Sequence, residues 1–459
     1  MIQSLINFLL DSPVNYLAVE TVRRQLEDAG FRRLDAGDSF ASVKAGDKVY
    51  VTKNDSSIYA FHIGRKAMSD AGFHIICSHC DSPTFRIKPN AELLRGGMLS
   101  LNTELYGGAI MQTWFDRPLS LAGRVIIKGA DTMHPETRLV HIRRPLMVIP
   151  NLAIHFNRQV NDGVKLSKQK DMLPLMAIGS PLPTSAPRAF ASRHERGGAL
   201  DMLQKDGVLL NLIVDELNQQ LLTPHSSLLT TSDILDFDLY LYDTTPACTV
   251  GLNNDMISGG RLDDLSMVHA SLMAMLMGAN EVPETTRVMA VFDNEETGSQ
   301  TKQGAGSPFL ATVLERLVMA QGGPRDDFYR AVDKAFMISA DNAHAWHPNY
   351  SEKYDPTNHP VLGGGPVIKL NAAQKYATDA MSAAIFAGIC RDAGVPCQYF
   401  VNHSDIAGGS TLGNILAGSL PLRGVDMGCG VLGMHSIRET ASCVDHEYCI
   451  KAFREFYRE

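Results

Sequence analysis

Three apolar, strand-like runs end in residues that bind cations. Phe73 to Ser78 leads into His79 and Asp81, Val288 to Phe292 into Asp293, Glu295 and Glu296, and Phe336 to Ala340 into Asp341. One Asp at a strand end is ordinarily a turn former or helix cap. Three such ends together point to a crevice, because the carboxyl ends of strands in an open α/β sheet face the binding cleft. The adjacent Glu295 and Glu296 add a division of labour: in extended backbone their side chains diverge, so one carboxylate can bind a cation while the other reaches the water to be activated. Asp263 and Asp264 follow Gly259-Gly260 and open a helical run, where at least one is expected to cap the helix and one can bridge two cations. His435, within Gly433-Met434-His435-Ser436-Ile437-Arg438-Glu439, offers a further imidazole. Two Zn²⁺ ions held by His, Asp and Glu with an open position suit hydrolysis, naturally of an amide, since the cations polarise a carbonyl and acidify a shared water.

Competing motifs are weaker. Cys77-Ser78-His79-Cys80 is formally a C-x-x-C, but no second cysteine pair stands at structural-zinc spacing and Cys77 sits in a buried-strand pattern. No G-x-S-x-G elbow supports a serine hydrolase. Gly363-Gly364-Gly365 lacks the surroundings of a phosphate-binding loop.

The elements that must position these residues alternate. Leu17, Val22 and Leu26 recur at helical spacing after Ser12-Pro13 and stop at Gly30. Lys48 to Thr52, Ile58 to Ile63, Arg287 to Phe292 and Ala335 to Ile338 read as strands, and Leu265 to Met277 and Ala373 to Ala393 as helices. This alternation predicts a doubly wound α/β domain with a mixed sheet, formed by residues 1–90 and 248–459. Between them the texture changes. Residues 91–247 carry Gly- and Pro-punctuated strands, Leu119 to Ile127 and Leu146 to Phe156, around the loop Gly179 to Gly198, and are expected to form an inserted, mainly β domain.

With 459 residues, 45% hydrophobic and 20% charged, the chain is expected to be globular with more than one domain. Its 42 Lys and Arg against 50 Asp and Glu give a charge of -8, which provides no basic surface for nucleic acid. No run of about 18 apolar residues predicts a membrane span, and the apolar Met1 to Leu10 lacks the positive start of a signal peptide. Eight sparse cysteines are expected to be free thiols, so a cytoplasmic location is expected.

The motifs His79-Cys80-Asp81-Ser82-Pro83, Tyr106-Gly107-Gly108 with Trp114-Phe115-Asp116-Arg117, Arg261-Leu262-Asp263, Asp293-Asn294-Glu295-Glu296, Ser339-Ala340-Asp341 and Met434-His435-Ser436-Ile437-Arg438-Glu439 span nearly the whole chain. In these it resembles the aspartyl aminopeptidases, dinuclear metallopeptidases that remove acidic residues from peptide amino termini. The resemblance implies that His79 and Asp341 hold one zinc, Glu296 and His435 the other, that Asp263 bridges them, and that Glu295 is the general base. It implies that Lys369 and His344 contact substrate, that His155 reaches a neighbouring subunit's active site, and that the inserted domain is a dimerisation domain in a tetrahedral dodecamer built from dimers. Mn²⁺ or Co²⁺ would be possible substitutes for zinc. Asp264 departs from the family pattern, standing where asparagine is common. Two other readings stand beside this one: a dinuclear hydrolase of other specificity, a deacylase or carboxypeptidase, and a non-catalytic cage or cargo relative, which would be expected to have lost a ligand or the base.

Overall fold

Side chains alternate between the two faces of a strand, and most strand runs here are apolar at both parities, so these strands need cover on both sides. The computed structural model describes residues 1–178, 207–220 and 228–459. These divide into two compact units, Met1–Ser82 with Pro246–Glu459, and Pro83–Thr245. The loop Gly179 to Gly198 lies outside the described residues.

The first unit is built on a nine-stranded sheet. Its strands are β1 (Arg32–Arg33), β2 (Lys48–Lys53), β3 (Ser57–His62), β4 (Phe73–His79), β5 (Thr286–Phe292), β6 (Phe336–Ala340), β7 (Val367–Leu370), β8 (Gln398–Val401) and β9 (Arg423–Gly428), in spatial order β1-β2-β3-β5-β4-β6-β9-β7-β8. The central strands β5, β4, β6 and β9 run parallel, while β3 and β7 pair antiparallel to them. The sheet is therefore mixed and the unit α/β, as expected.

Alternation sorts the side chains into two layers. In β5, Met289 and Val291 join one buried cluster, with β4's Ile76 and β6's Phe336, Ile338 and Ala340, against helices Ile2–Asp11, Asn15–Asp28, Leu262–Met277, Ala380–Asp392 and Cys443–Phe456. Val288, Ala290 and Phe292 join the other, with Ile75, Cys77 and Met337, against Phe309–Ala320, Arg325–Lys334 and Leu412–Ser419. Burying each such Val, Leu or Phe contributes about 1.5–3 kcal/mol, which fixes the strand register and with it the residues at the strand ends. A smaller five-stranded sheet in the same unit orders Cys248–Val250, Met256–Gly259, Glu439–Ser442, Gly430–Leu432 and Ala343–His344. Among the described residues no helix is long and apolar enough to cross a membrane. All eight cysteines are free.

The second unit is a six-stranded antiparallel sheet in the order His134–His141, Leu119–Asp131, Ile234–Asp243, Thr84–Arg95, Met98–Tyr106, Leu175–Ile178, with a helix at Val208–Gln220.

Three local expectations change. Asn90 falls inside the strand Thr84–Arg95, whose ladder with Met98–Tyr106 draws residues 83–90 into the second unit. Leu146 to Phe156 is not a strand: it makes isolated bridges at Met147, Val148 and Ile149, then a 3-10 turn at Ile154–Phe156, with Pro150 removing a donor between them. The helix expected from Ala373 begins at Ala380, because Asp379 and Ser382 form a reciprocal cap that fixes the start.

Candidate active site

His79 closes β4, and its register partner across the parallel ladder is Phe292, the last residue of β5. The chain leaving β5 therefore delivers Glu295 and Glu296 beside His79, and Asp341 follows β6 on the other flank of β4. Asp263 enters at the head of the helix Leu262–Met277, where Asp263 and Asp264 have non-helical backbone and Arg261 is left-handed. His435 comes from the connection between the strands Gly430–Leu432 and Glu439–Ser442.

The donor atoms of His79, Asp263 and Asp341 all lie within 4.8 Å of one another, and so do those of Asp263, Glu296 and His435. Asp263 belongs to both groups through different atoms. Its Oδ1 is 3.6 Å from His79 Nε2, which is 4.0 Å from Asp341 Oδ1. Its Oδ2 is 3.7 Å from His435 Nε2, which is 3.3 Å from Glu296 Oε1. Glu295 joins a further group with His79 and Glu296.

The cluster is dense in negative charge. Burial, then repulsion from Asp341 and Glu296 against the relief from His79, pushes the Glu295 carboxyl up to about 8. Burial also raises Asp341, to about 6, despite Lys369. Burial opposes charge on His435, yet Glu296 and Asp263 outweigh it and raise the imidazole to about 9. Asp263 Oδ1 and Glu296 Oε1 are buried without a hydrogen-bond donor. Buried anions need compensating charge, and carboxylate and imidazole donors with two orphaned oxygens fit zinc.

Over residues 8–457 the chain matches the family Aminopeptidase I zinc metalloprotease (M18). It is 46% identical over 456 residues to the probable M18 family aminopeptidase 2 of Clostridium acetobutylicum, covering 99% of this chain and 98% of that relative. The chain belongs to the M18 family. As an M18 member it is a zinc metallo-aminopeptidase, and the deacylase and carboxypeptidase readings fall away. Solved structures agree. A chain of the cryo-EM structure of the Ape4 and Nbr1 complex superposes with a TM-score of 0.91 at 36% identity, over 99% of this chain and 85% of that one. The S. cerevesiae mApe1 dodecamer gives 0.82 at 25% identity, over 100% and 96%.

In this M18 aminopeptidase the expected site residues are distributed unevenly. His79, Asp263, Glu295, Glu296, Asp341 and His435 come together, neither His344 nor His155 belongs to these groupings, and Lys369 borders them at Asp341. Lys369 is buried on β7, with its ammonium donating to Asn342 O at 3.0 Å, lying 3.7 Å from Asp341 Oδ2 and 5.5 Å from the Tyr376 ring centre. His344 is exposed and lines a cavity of about 220 Å³ with Lys353, Tyr354, Phe400, Asn402 and His403. His155 lies in the second unit, in the exposed turn Ile154–Phe156.

The Glu295–Glu296 pair occupies a 3-10 turn entered through left-handed Asn294, not extended backbone, so both carboxylates stay on the His79 side. Neither Asp263 nor Asp264 caps its helix; Asp264 Oδ2 instead accepts the His79 N–H at 3.1 Å. Three supporting roles escaped the sequence reading. Asp81 accepts the N–H groups of Glu295 and Glu296, both at 3.1 Å, and Asp81 O lies 3.0 Å from His79 Nδ1, fixing the ring through its second nitrogen. Glu439 accepts the Asp263 and His435 N–H groups. Asn342 joins Lys369 to Leu262. Asp81 was visible as a histidine neighbour two residues on; Glu439 and Asn342 carry no such signal, because their work is with backbone groups.

Proposed function

We propose that this protein removes acidic residues, Asp or Glu, from the amino termini of peptides, using two zinc ions that share Asp263. The observation that carries this is the division of the Asp263 oxygens: one faces His79 and Asp341, the other Glu296 and His435. Bound there, the two cations would polarise the scissile carbonyl and acidify the attacking water. Glu295 takes the proton from that water as it adds to the carbonyl carbon. The C–N bond then breaks, and Glu295 returns the proton to the departing amine. Asp81 keeps Glu295 and Glu296 in place by holding both of their amides.

Acidic selectivity rests on Lys369, a buried positive charge beside Asp341, and His344 contacts the substrate from the adjoining cavity. His155 completes the site of a neighbouring copy. Its turn presents Ile154 at 49% and Phe156 at 81% exposure, and Leu152 just before it is 59% exposed, apolar surface that a second copy would cover. Residues 83–245 thus form the dimerisation unit of a homo-oligomer, a dodecamer as in mApe1.

The test is turnover of Asp-, Glu-, Ala- and Leu-amides before and after chelation, with metal content measured on the same sample. Chelation should abolish turnover, and Zn²⁺, Mn²⁺ or Co²⁺ should restore it. Lys369→Ala should raise KM for the acidic substrates and erode the preference for Asp over Ala. Full activity without metal, or equal rates on Asp- and Ala-amides in the unaltered enzyme, would sink the proposal.

A further inference from the structure

Glu439 is buried, at 2% exposure. One of its oxygens accepts the N–H of Asp263 at 3.0 Å and the other accepts the N–H of His435 at 2.8 Å. A single carboxylate thus ties together two segments distant in sequence, each carrying a member of the Asp263–Glu296–His435 group. Both segments have backbone that needs outside support. His435 is left-handed at φ +68, and Arg261, two residues before Asp263, is left-handed at φ +61; non-glycine residues keep such conformations where the surroundings impose them.

Glu439 is itself held firmly. It opens the strand Glu439–Ser442, paired across to Gly259, and Gly260 lets the chain approach Ile437 O so closely that a Cβ there would sit 2.6 Å from that oxygen. The other group differs: His79 and Asp341 stand at the ends of β4 and β6, and it is Asp263, common to both groups, that ties it to Glu439.

We propose that Glu439 is a positioning residue that sets the affinity of the Asp263–Glu296–His435 pocket for its zinc ion. The inference rests on the ligand assignment above. Carboxylate-to-amide replacement leaves one acceptor oxygen and turns an NH₂ donor towards the second N–H, so one segment is released. Glu439→Asp keeps the charge but is too short to span both.

Zinc affinity of the full-length enzyme is measured by competition with a chromophoric chelator, alongside melting in saturating zinc. In Glu439→Gln and Glu439→Asp, the ion held by Glu296 and His435 should bind about 10- to 100-fold more weakly, as is usual when the partner of a ligand is lost, and the ion held by His79 and Asp341 should weaken less, since only the shared Asp263 links it to Glu439. Excess zinc should recover most of kcat, with the zinc midpoint displaced by the same factor. A lower melting temperature with both zinc affinities within twofold of the unaltered enzyme would overturn the proposal. Failure of both variants to fold even in saturating zinc would overturn it too, by making Glu439 a residue of the fold. His435→Ala is the control on the ligand assignment: if it keeps both zinc ions at unaltered affinity, the assignment itself is wrong, whatever Glu439→Gln does.

Discussion

The two groups that share Asp263 are built differently. His79 and Asp341 extend directly from β4 and β6 at the centre of the sheet, with side chains 1% and 10% exposed. Glu296 comes from a 3-10 turn and His435 from a left-handed connection, and the His435 side chain is 31% exposed. A ligand at the end of a central strand inherits the rigidity of the packed sheet, whereas one on a turn depends on hydrogen bonds to hold its backbone. Asp81 and Glu439 provide those bonds. The positions of His79 and Asp341, the strand-end pocket, are thus set mainly by the sheet, with Asp264 accepting the His79 N–H, and those of Glu296 and His435, the turn pocket, by two buried carboxylates.

The largest effect should come from separating the two glutamates of the turn. Glu295→Gln should keep both metals and lose about 10² to 10⁴ in kcat, because an amide cannot take the proton from the water. Glu296→Gln should instead cost zinc in the turn pocket and leave the strand-end pocket filled. Metal analysis with steady-state kinetics decides it, and equal metal loss in both variants would show that the pair is assigned wrongly.

A graded chelation series sharpens the same contrast. The partly exposed turn pocket should release its ion first, with an affinity at least about tenfold weaker, or about 1.4 kcal/mol. Indistinguishable release of the two ions would mean that the difference in scaffolding carries no energetic weight.

What the sequence made legible follows the same division. His79 and Asp341 stand at the ends of continuous apolar runs, so both the strand and its chemical end could be seen. The central strands were visible for that reason, and so was the α/β alternation. The Glu295–Glu296 pair was found, but its backbone was expected to be extended; left-handed Asn294 and Gly298, which make the turn, are set by tertiary contacts such as Gln303 and Thr301 donating to the Asn294 side chain. Glu439 was quoted as part of a motif without a role, since a carboxylate that accepts backbone N–H groups from distant segments has no periodicity to betray it. The Leu146 to Phe156 run shows the opposite error: apolar composition suggested a strand where the chain makes only isolated bridges before Pro150 and then turns at Ile154–Phe156.

The smallest effect concerns pH and the metal-free protein. Burial raises Asp341 from its ordinary 3.8 to about 6, and Glu295 and Glu439 from 4.5 to about 8. A carboxyl whose value is higher in the folded chain binds its proton more tightly there, so folding is favoured while the proton is present. That contribution is complete below about pH 4 and is lost as pH rises through 6 and then 8. His435, raised to about 9, carries the same sign, whereas Asp263, held below its usual range by His79 and His435 despite burial, and His344, lowered by burial, oppose it. Metal-free protein should therefore melt at a lower temperature at pH 8.5 than at pH 6. Zinc replaces those protons as the counter-charge, so the loaded protein should show a flatter slope and a zinc-dependent rise in melting temperature that grows with pH. Parallel slopes with and without zinc, measured by calorimetry in matched buffers, would mean that these carboxyls are already neutralised within the protein and that the cluster does not need a cation.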